Sequence, residues 1–146
     1  MYFHDHHGML RDFGPEPLVR DLEQDALCNN NFRTALWTGP KMQLTLMCIP
    51  VGDSIGLECH EDTDQFLCLV QGCAMVQFGK TKDTVHDVSR VSCHDGIFVP
   101  AGTWHNVRNC GNVPLKLYSI YAPPHHPFGT VQQTKEDAFH GKPKGC

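Results

Sequence analysis

Pro100-Ala101-Gly102-Thr103-Trp104-His105-Asn106-Val107-Arg108-Asn109 is the stretch that decides how this chain is read. Pro100 and Gly102 anchor a strand from Trp104 to Asn109, and that strand delivers His105 to the inside of a small barrel. An upstream stretch supplies the counterpart: Gly56-Leu57-Glu58-Cys59-His60-Glu61-Asp62-Thr63-Asp64-Gln65-Phe66. Residues two apart in a strand face the same way. Glu58 and His60 then share a face, and Cys59 points to the opposite one. Asp62-Thr63-Asp64 is a short turn, and Gln65 opens the next strand; if that strand pairs with the previous one, Gln65 returns to the same interior.

The set of ligands expected is therefore Glu58, His60, Gln65 and His105: one carboxylate, two imidazoles and one amide oxygen. Such a mixture suits a divalent transition metal, whether Zn, Fe, Mn, Ni or Co. Positions left open on the ion are what a catalytic site requires. The competing reading, two structural histidines hydrogen-bonded in the interior, does not account for Glu58 at strand spacing. Asp62 and Asp64 read as turn formers, since Asp bonds its own backbone in turns. His86 and His94, outside the motifs, read as surface positions or as supports behind the ligands, and His125 and His126, after Pro123-Pro124, as candidates for the pocket mouth. His4, His6 and His7 resemble a weak metal-binding tract, although a terminal histidine cluster is more often incidental.

Outward from these motifs the chain is a series of short strands. Thr34–Thr38 is closed by Gly39-Pro40. Met42 to Ile49 alternates with period two, with Met42, Leu44, Leu46 and Cys48 on one face. Gln65–Val70 is a nearly continuous apolar run broken by Gly72. Cys73–Phe78, Thr84–Val91, Gly96–Val99, Trp104–Asn109 and Pro114–Tyr121 follow, separated by polar, glycine and proline turns. Many short strands with such punctuation predict an antiparallel sandwich or barrel. Residues 1–31 form an irregular N-terminal arm with one helical turn near 18–27; residues 32–128 form the barrel; residues 129–146 form a C-terminal tail with a short helix near 134–139.

Composition narrows the function classes. The chain has 146 residues and a net charge of −4, so one domain is expected and nothing basic invites nucleic acid. No apolar run approaches the ~20 residues of a membrane span. The start lacks the basic-then-apolar profile of a signal peptide, and a cytoplasmic protein is expected. Eight cysteines are present, without a Cys-x-x-Cys. Cys48, Cys68 and Cys73 read as small buried hydrophobes, and the thiols are expected to be reduced.

The two motifs resemble those of the cupins, over roughly residues 32–128. The usual second motif, Pro-x-Gly-x-x-His-x-x-x-Asn, is matched in full from Pro100 to Asn109; its leading glycine slot holds His94. In the first motif Glu58-Cys59-His60 fills the His-x-His slot, Gln65 the Glu slot and Gly72 the closing glycine. The resemblance implies an all-β fold, the cupin double-stranded β-helix or jelly-roll barrel, with Glu58, His60, Gln65 and His105 as the metal ligands. Gln65 in place of Glu is similar to metal-binding cupins that act as isomerases or cyclases, and less like the dioxygenases. A neutral amide leaves the ion more electrophilic, which favours Lewis-acid polarisation. Asn31–Gly39, Ile55–Glu58 with Asp62–Phe66, and Leu115–Pro127 resemble small bacterial single-domain cupins described as mannose-6-phosphate isomerase-like.

The functional expectation is a metal-dependent isomerase or lyase acting on a small oxygenated metabolite such as a sugar or sugar phosphate. Glu58, swung off the ion, is its candidate catalytic proton carrier. The alternatives are a metal-dependent oxygenase and a non-catalytic sugar-binding module. Tyr118, Tyr121 and Trp37 are candidates for the pocket wall, and Arg33, Lys41 and Arg108 for a phosphate contact. Cupins often exchange edge strands, and an open sheet edge favours pairing, so a homodimer is expected.

Overall fold

The structure is a computed structural model that describes residues 9–139 and residue 146. His4, His6 and His7 lie outside the described residues. Nine strands alternate with tight turns: β1 (Arg33–Thr38), β2 (Gln43–Ile49), β3 (Asp64–Gln71), β4 (Ala74–Gly79), β5 (His86–Val91), β6 (Gly96–Val99), β7 (Trp104–Asn109), β8 (Leu115–Ala122) and β9 (Val131–Gln132). They form a six-stranded sheet, β6-β3-β8-β2-β1-β9, and a three-stranded sheet, β5-β4-β7, with every pairing antiparallel. Leu67, Leu69, Leu115, Leu117 and Met47 from the first sheet pack against Ala74, Val76 and Val107 from the second. This is the expected all-β jelly-roll barrel.

Period-two alternation does the sorting, but on β2 it sorts the opposite way from the apolar pattern. Leu44 and Leu46 lie outside the barrel, beneath Ala26, Leu22 and Leu27 of α1 (Leu22–Cys28) and Leu10 and Phe13 of the preceding segment. Met47 and Ile49 point inward. The outer face of the large sheet is thus buried by residues 10–27, so this part of the irregular arm packs on the barrel. Asp21 starts α1 by accepting a hydrogen bond from the Gln24 amide at 3.1 Å. Lys116, on the same outer face, donates to the Leu27 carbonyl at 2.6 Å and to Asn30 Oδ1 at 3.1 Å.

Other differences are local. Residues Lys82–Thr84 make one 3-10 turn, so the strand expected from Thr84 starts at His86. Val131–Gln132 forms a ninth strand on the free edge of β1, and α2 (Lys135–Ala138) is capped by Thr134, whose hydroxyl accepts from the Asp137 amide. His94, in the slot usually held by glycine, has φ of 71°. That left-handed backbone explains why glycine suits the position.

Candidate metal centre

Residues 54–60 are not the strand expected of them. They run beside β7 through two isolated bridges, Ser54 to Arg108 and Glu58 to His105. The Glu58 and His105 backbones exchange both hydrogen bonds, at 3.0 and 2.9 Å. Residues paired in this way carry their side chains on one face, so Glu58 and His105 both enter the barrel. The His60 carbonyl accepts from the Gly102 amide at 2.7 Å. Gly102 has φ of 82°, and the turn it makes ties the two motifs together. Gln65 reaches the same end of the barrel by another route: β3 pairs with β6 and β8, not with the Glu58 segment.

One ligand-type atom from each of Glu58, His60 and His105 lies within 4.8 Å of the others, and all three residues are buried. His60 Nε2 is 3.7 Å from Glu58 Oε2, and His105 Nε2 is 3.8 Å from Glu58 Oε1. Both separations are too long for hydrogen bonds, and Glu58 Oε1, His60 Nε2 and His105 Nε2 have no partner. His105 Nδ1 lies 2.9 Å from the Thr103 carbonyl. A carbonyl can only accept, so Nδ1 carries the proton and Nε2 presents its lone pair to Glu58 and His60. Burial, reinforced by His60, pushes the His105 pKa down against the pull of Glu58 and the Thr103 carbonyl, keeping the ring neutral, as a ligand must be. Burial pushes the Glu58 carboxyl up, but His60, Arg33 and His105 outweigh it and hold the pKa at about 2. Gln65 is buried, donates from Nε2 to Ser119 Oγ at 2.9 Å and leaves Oε1 without a partner.

The rest of this end was only partly seen in sequence. The His125 ring lies 4.1 Å from that of His60, and His126 meets Tyr121 edge-on at 5.1 Å. Gln43 fastens this cover: its Oε1 accepts from the His125 and His126 amides at 3.3 and 2.9 Å, and its Nε2 donates to the His126 carbonyl at 2.9 Å. Tyr121 is fully buried beside His60, whereas Trp37 donates to the Glu16 carbonyl on the outside and Tyr118 packs with the outer cluster. Of the cations proposed for phosphate, Lys41 is exposed, Arg108 lies 3.9 Å from Asp87 on the surface, and Arg33 is buried within the barrel. No motif points to Gln43, Thr45 or Ser119. Their signal was present as polar residues at i and i+2 in strands whose intervening positions are apolar. Asp64 is not the turn residue expected: it opens β3 opposite Ala122, and its carboxylate accepts from the Ala101 amide at 2.8 Å. His86 and His94 are exposed.

Cys59 departs from the reduced state expected for the thiols: it is joined to Cys146. Cys28, Cys48, Cys68, Cys73, Cys93 and Cys110 are free, and Cys48, Cys68 and Cys73 are half-buried rather than buried.

The cupin domain pattern matches residues 45–121, which hold both motifs and four of the six strands of the large sheet. The chain belongs to the cupin family. This cupin is 54% identical over 136 residues to YrkC of Bacillus subtilis, covering 93% of this chain and 73% of that protein. It is 53% identical to BH2720 of Bacillus halodurans, whose crystal structure superposes with a TM-score of 0.87 over 88% of this chain and 98% of that one. Oxalate decarboxylase of Bacillus subtilis, described with Mn(II) centres, shares the fold at 20% identity, with a TM-score of 0.54 over 61% of this chain and 23% of that one. Among the described residues no helix is long and apolar enough to cross a membrane.

Proposed function

We propose that this cupin is a metal-dependent enzyme of the isomerase or lyase type, similar to the mannose-6-phosphate isomerase-like cupins, acting on a small oxygenated metabolite such as a sugar or sugar phosphate. One observation carries the reading: Glu58 Oε1, His60 Nε2 and His105 Nε2 converge in a buried place with no hydrogen-bond partner. Unpartnered buried polar atoms are costly, and a shared cation satisfies all three at once. Gln65 Oε1, equally unpartnered, is the fourth ligand in this reading. The nitrogen-and-oxygen set fits Zn, Fe, Mn, Ni or Co. Such an ion, when bound, polarises a carbonyl or hydroxyl.

The chain's own groups supply the rest. His125, His126 and Tyr121 cover the site and exclude water from it. Glu58 serves first as an anchoring carboxylate. A group with a pKa of about 2 is a weak base at neutral pH, so Glu58 takes up a proton at Oε1 only after it has moved away from His60, Arg33 and His105. A cytoplasmic homodimer belongs to the same reading, and a light-scattering mass equal to a single 16.4 kDa chain would remove the dimer.

The test is elemental analysis of untagged protein beside the His60→Ala/His105→Ala double variant. Near one equivalent of a transition metal in the parent, lost in the variant, supports the proposal. A parent that holds no metal even after reloading overturns it.

A further inference from the structure

Three buried side-chain groups make no hydrogen bond of full geometry: Arg33 Nε, Thr45 Oγ1 and the Tyr121 hydroxyl, the last lying against Ser119 and Thr45. They come from β1, β2 and β8, which are consecutive in the large sheet. Their registers stack them on its inner face. Arg33 lies opposite Met47, Ala35 opposite Thr45, Thr45 opposite Ser119, and Gln43 opposite Tyr121.

Arg33 is 2% exposed. Its Nη1 donates to the neutral amide oxygen of Gln132 at 2.5 Å, its Nη2 meets the Met47 sulfur at 3.9 Å, and the guanidinium lies 5.4 Å from the Phe32 ring centroid, none of them an anion. Among the described residues no carboxylate lies within ion-pair distance of it. Buried guanidinium groups are ordinarily paired. The chain itself shows what the same fork takes when a partner is present: Arg20 Nε and Nη2 each donate to the Asp25 carboxylate at 2.9 Å. Bracing β9 through Gln132 uses one donor of Arg33 and leaves the Nε–Nη2 edge, the edge that grips a carboxylate or phosphate with two parallel bonds, without an anion. Against the upward push of burial, the charge of Arg33 works to lower the pKa of both Glu58 and Tyr121.

We infer that the polar end of the barrel binds the oxyanion of a small substrate, a carboxylate or phosphoryl group, on Arg33, Thr45 and Tyr121. The inference deepens the proposed function and rests on the same site: the anionic end of the substrate sits on these donors, and its carbonyl or hydroxyl end faces Glu58, His60 and His105.

The test is calorimetric titration of the untagged full chain with pyruvate and, separately, with inorganic phosphate, against chloride at equal ionic strength. Metal content is measured on the same samples. One of the two probes binds the parent, and which one identifies the group. Arg33→Met weakens that binding about 10- to 100-fold, as expected for loss of hydrogen bonds to a charged group. Arg33→Lys, which keeps the charge without the fork, falls between, and Thr45→Val weakens binding several-fold while retaining the parent's melting point. Binding of neither probe beyond chloride overturns the inference, as does Arg33-independent binding. If the metal is absent while Arg33-dependent anion binding persists, the metal reading fails and this one stands. If the metal is present and neither probe binds, the reverse holds.

Discussion

The two ends of the barrel interior are built by the same strands and obey opposite rules. At one end β2 contributes Met47 and Ile49, β3 Leu67 and Leu69, β7 Val107, and β8 Leu115 and Leu117, all in one apolar cluster. At the other end the inward positions of those strands are Gln43 and Thr45, Gln65, His105, and Ser119 and Tyr121, all buried. Polarity alone does not separate the ends, because the apolar end contains Asn109. That side chain is fully used: Nδ2 donates to the Ile49 and Val113 carbonyls at 3.0 and 2.9 Å, and Oδ1 accepts from the Gly111 amide at 3.0 Å. At the other end Arg33, Thr45, Glu58, His60, Gln65, His105 and Tyr121 each leave a buried polar atom without a partner. One end is closed for stability. The other is poorly satisfied by the chain itself, which is the mark of a place prepared for a ligand.

That contrast breaks if the two ends respond alike to substitution. The largest stability loss is expected from Leu117→Ala, about 2–5 kcal/mol by chemical denaturation, because a buried leucine at the apolar end leaves a cavity. Metal content of the folded fraction stays at the parent's level. Asn109→Ala follows, at about 1–3 kcal/mol, since it strands two carbonyls and an amide. Glu58→Gln reverses the pattern: metal affinity falls at least ~10-fold, while the metal-free protein loses little or gains stability, because a buried charge has been removed. Thr45→Val changes stability by less than about 1 kcal/mol, since it removes a hydroxyl that has no partner to lose; a loss as large as that of Asn109→Ala would contradict the division drawn here.

The smallest effect concerns pH. The folded pKa of His105 lies below its usual 6.5. Below that value the unfolded chain takes up a proton that the folded chain refuses, so the stability is complete above it and declines as the pH falls. The melting point of metal-free protein should drop between about pH 7 and about pH 5, and a rise over that interval would contradict a neutral, buried ring. Glu58 works over a lower window. Its pKa is depressed from 4.5 to about 2, so its contribution is full above the unfolded value and lost as the pH falls through the folded one.

Much of this was legible before any coordinates. Gly and Pro punctuation between short apolar runs carried the barrel, and the Pro100–Asn109 and Gly56–Phe66 stretches carried the residue types of Glu58, His60 and His105, although Glu58 and His60 meet through a bridge and a turn and not through the strand spacing expected. The inner face of β2 was not legible. Leu44 and Leu46 are as apolar as Met47 and Ile49, and hydrophobicity cannot say which of two buried faces looks into the barrel. The placement of residues 10–27 over the outer face settles that question, and it exposes Gln43 and Thr45 as lining residues.

By itself the sequence determined what local chemistry determines: strand periods, the turns at Gly72 and Gly102, and the donor types available for a cation. Only the tertiary structure decided what depends on contacts between distant segments. It brought Glu58 beside His105 through a bridge outside any regular strand, set the His125 ring against His60 and joined Cys59 to Cys146. It also buried Arg33 without a carboxylate partner. These features come from which strands lie side by side, and a one-dimensional pattern of polarity carries no record of that neighbourhood.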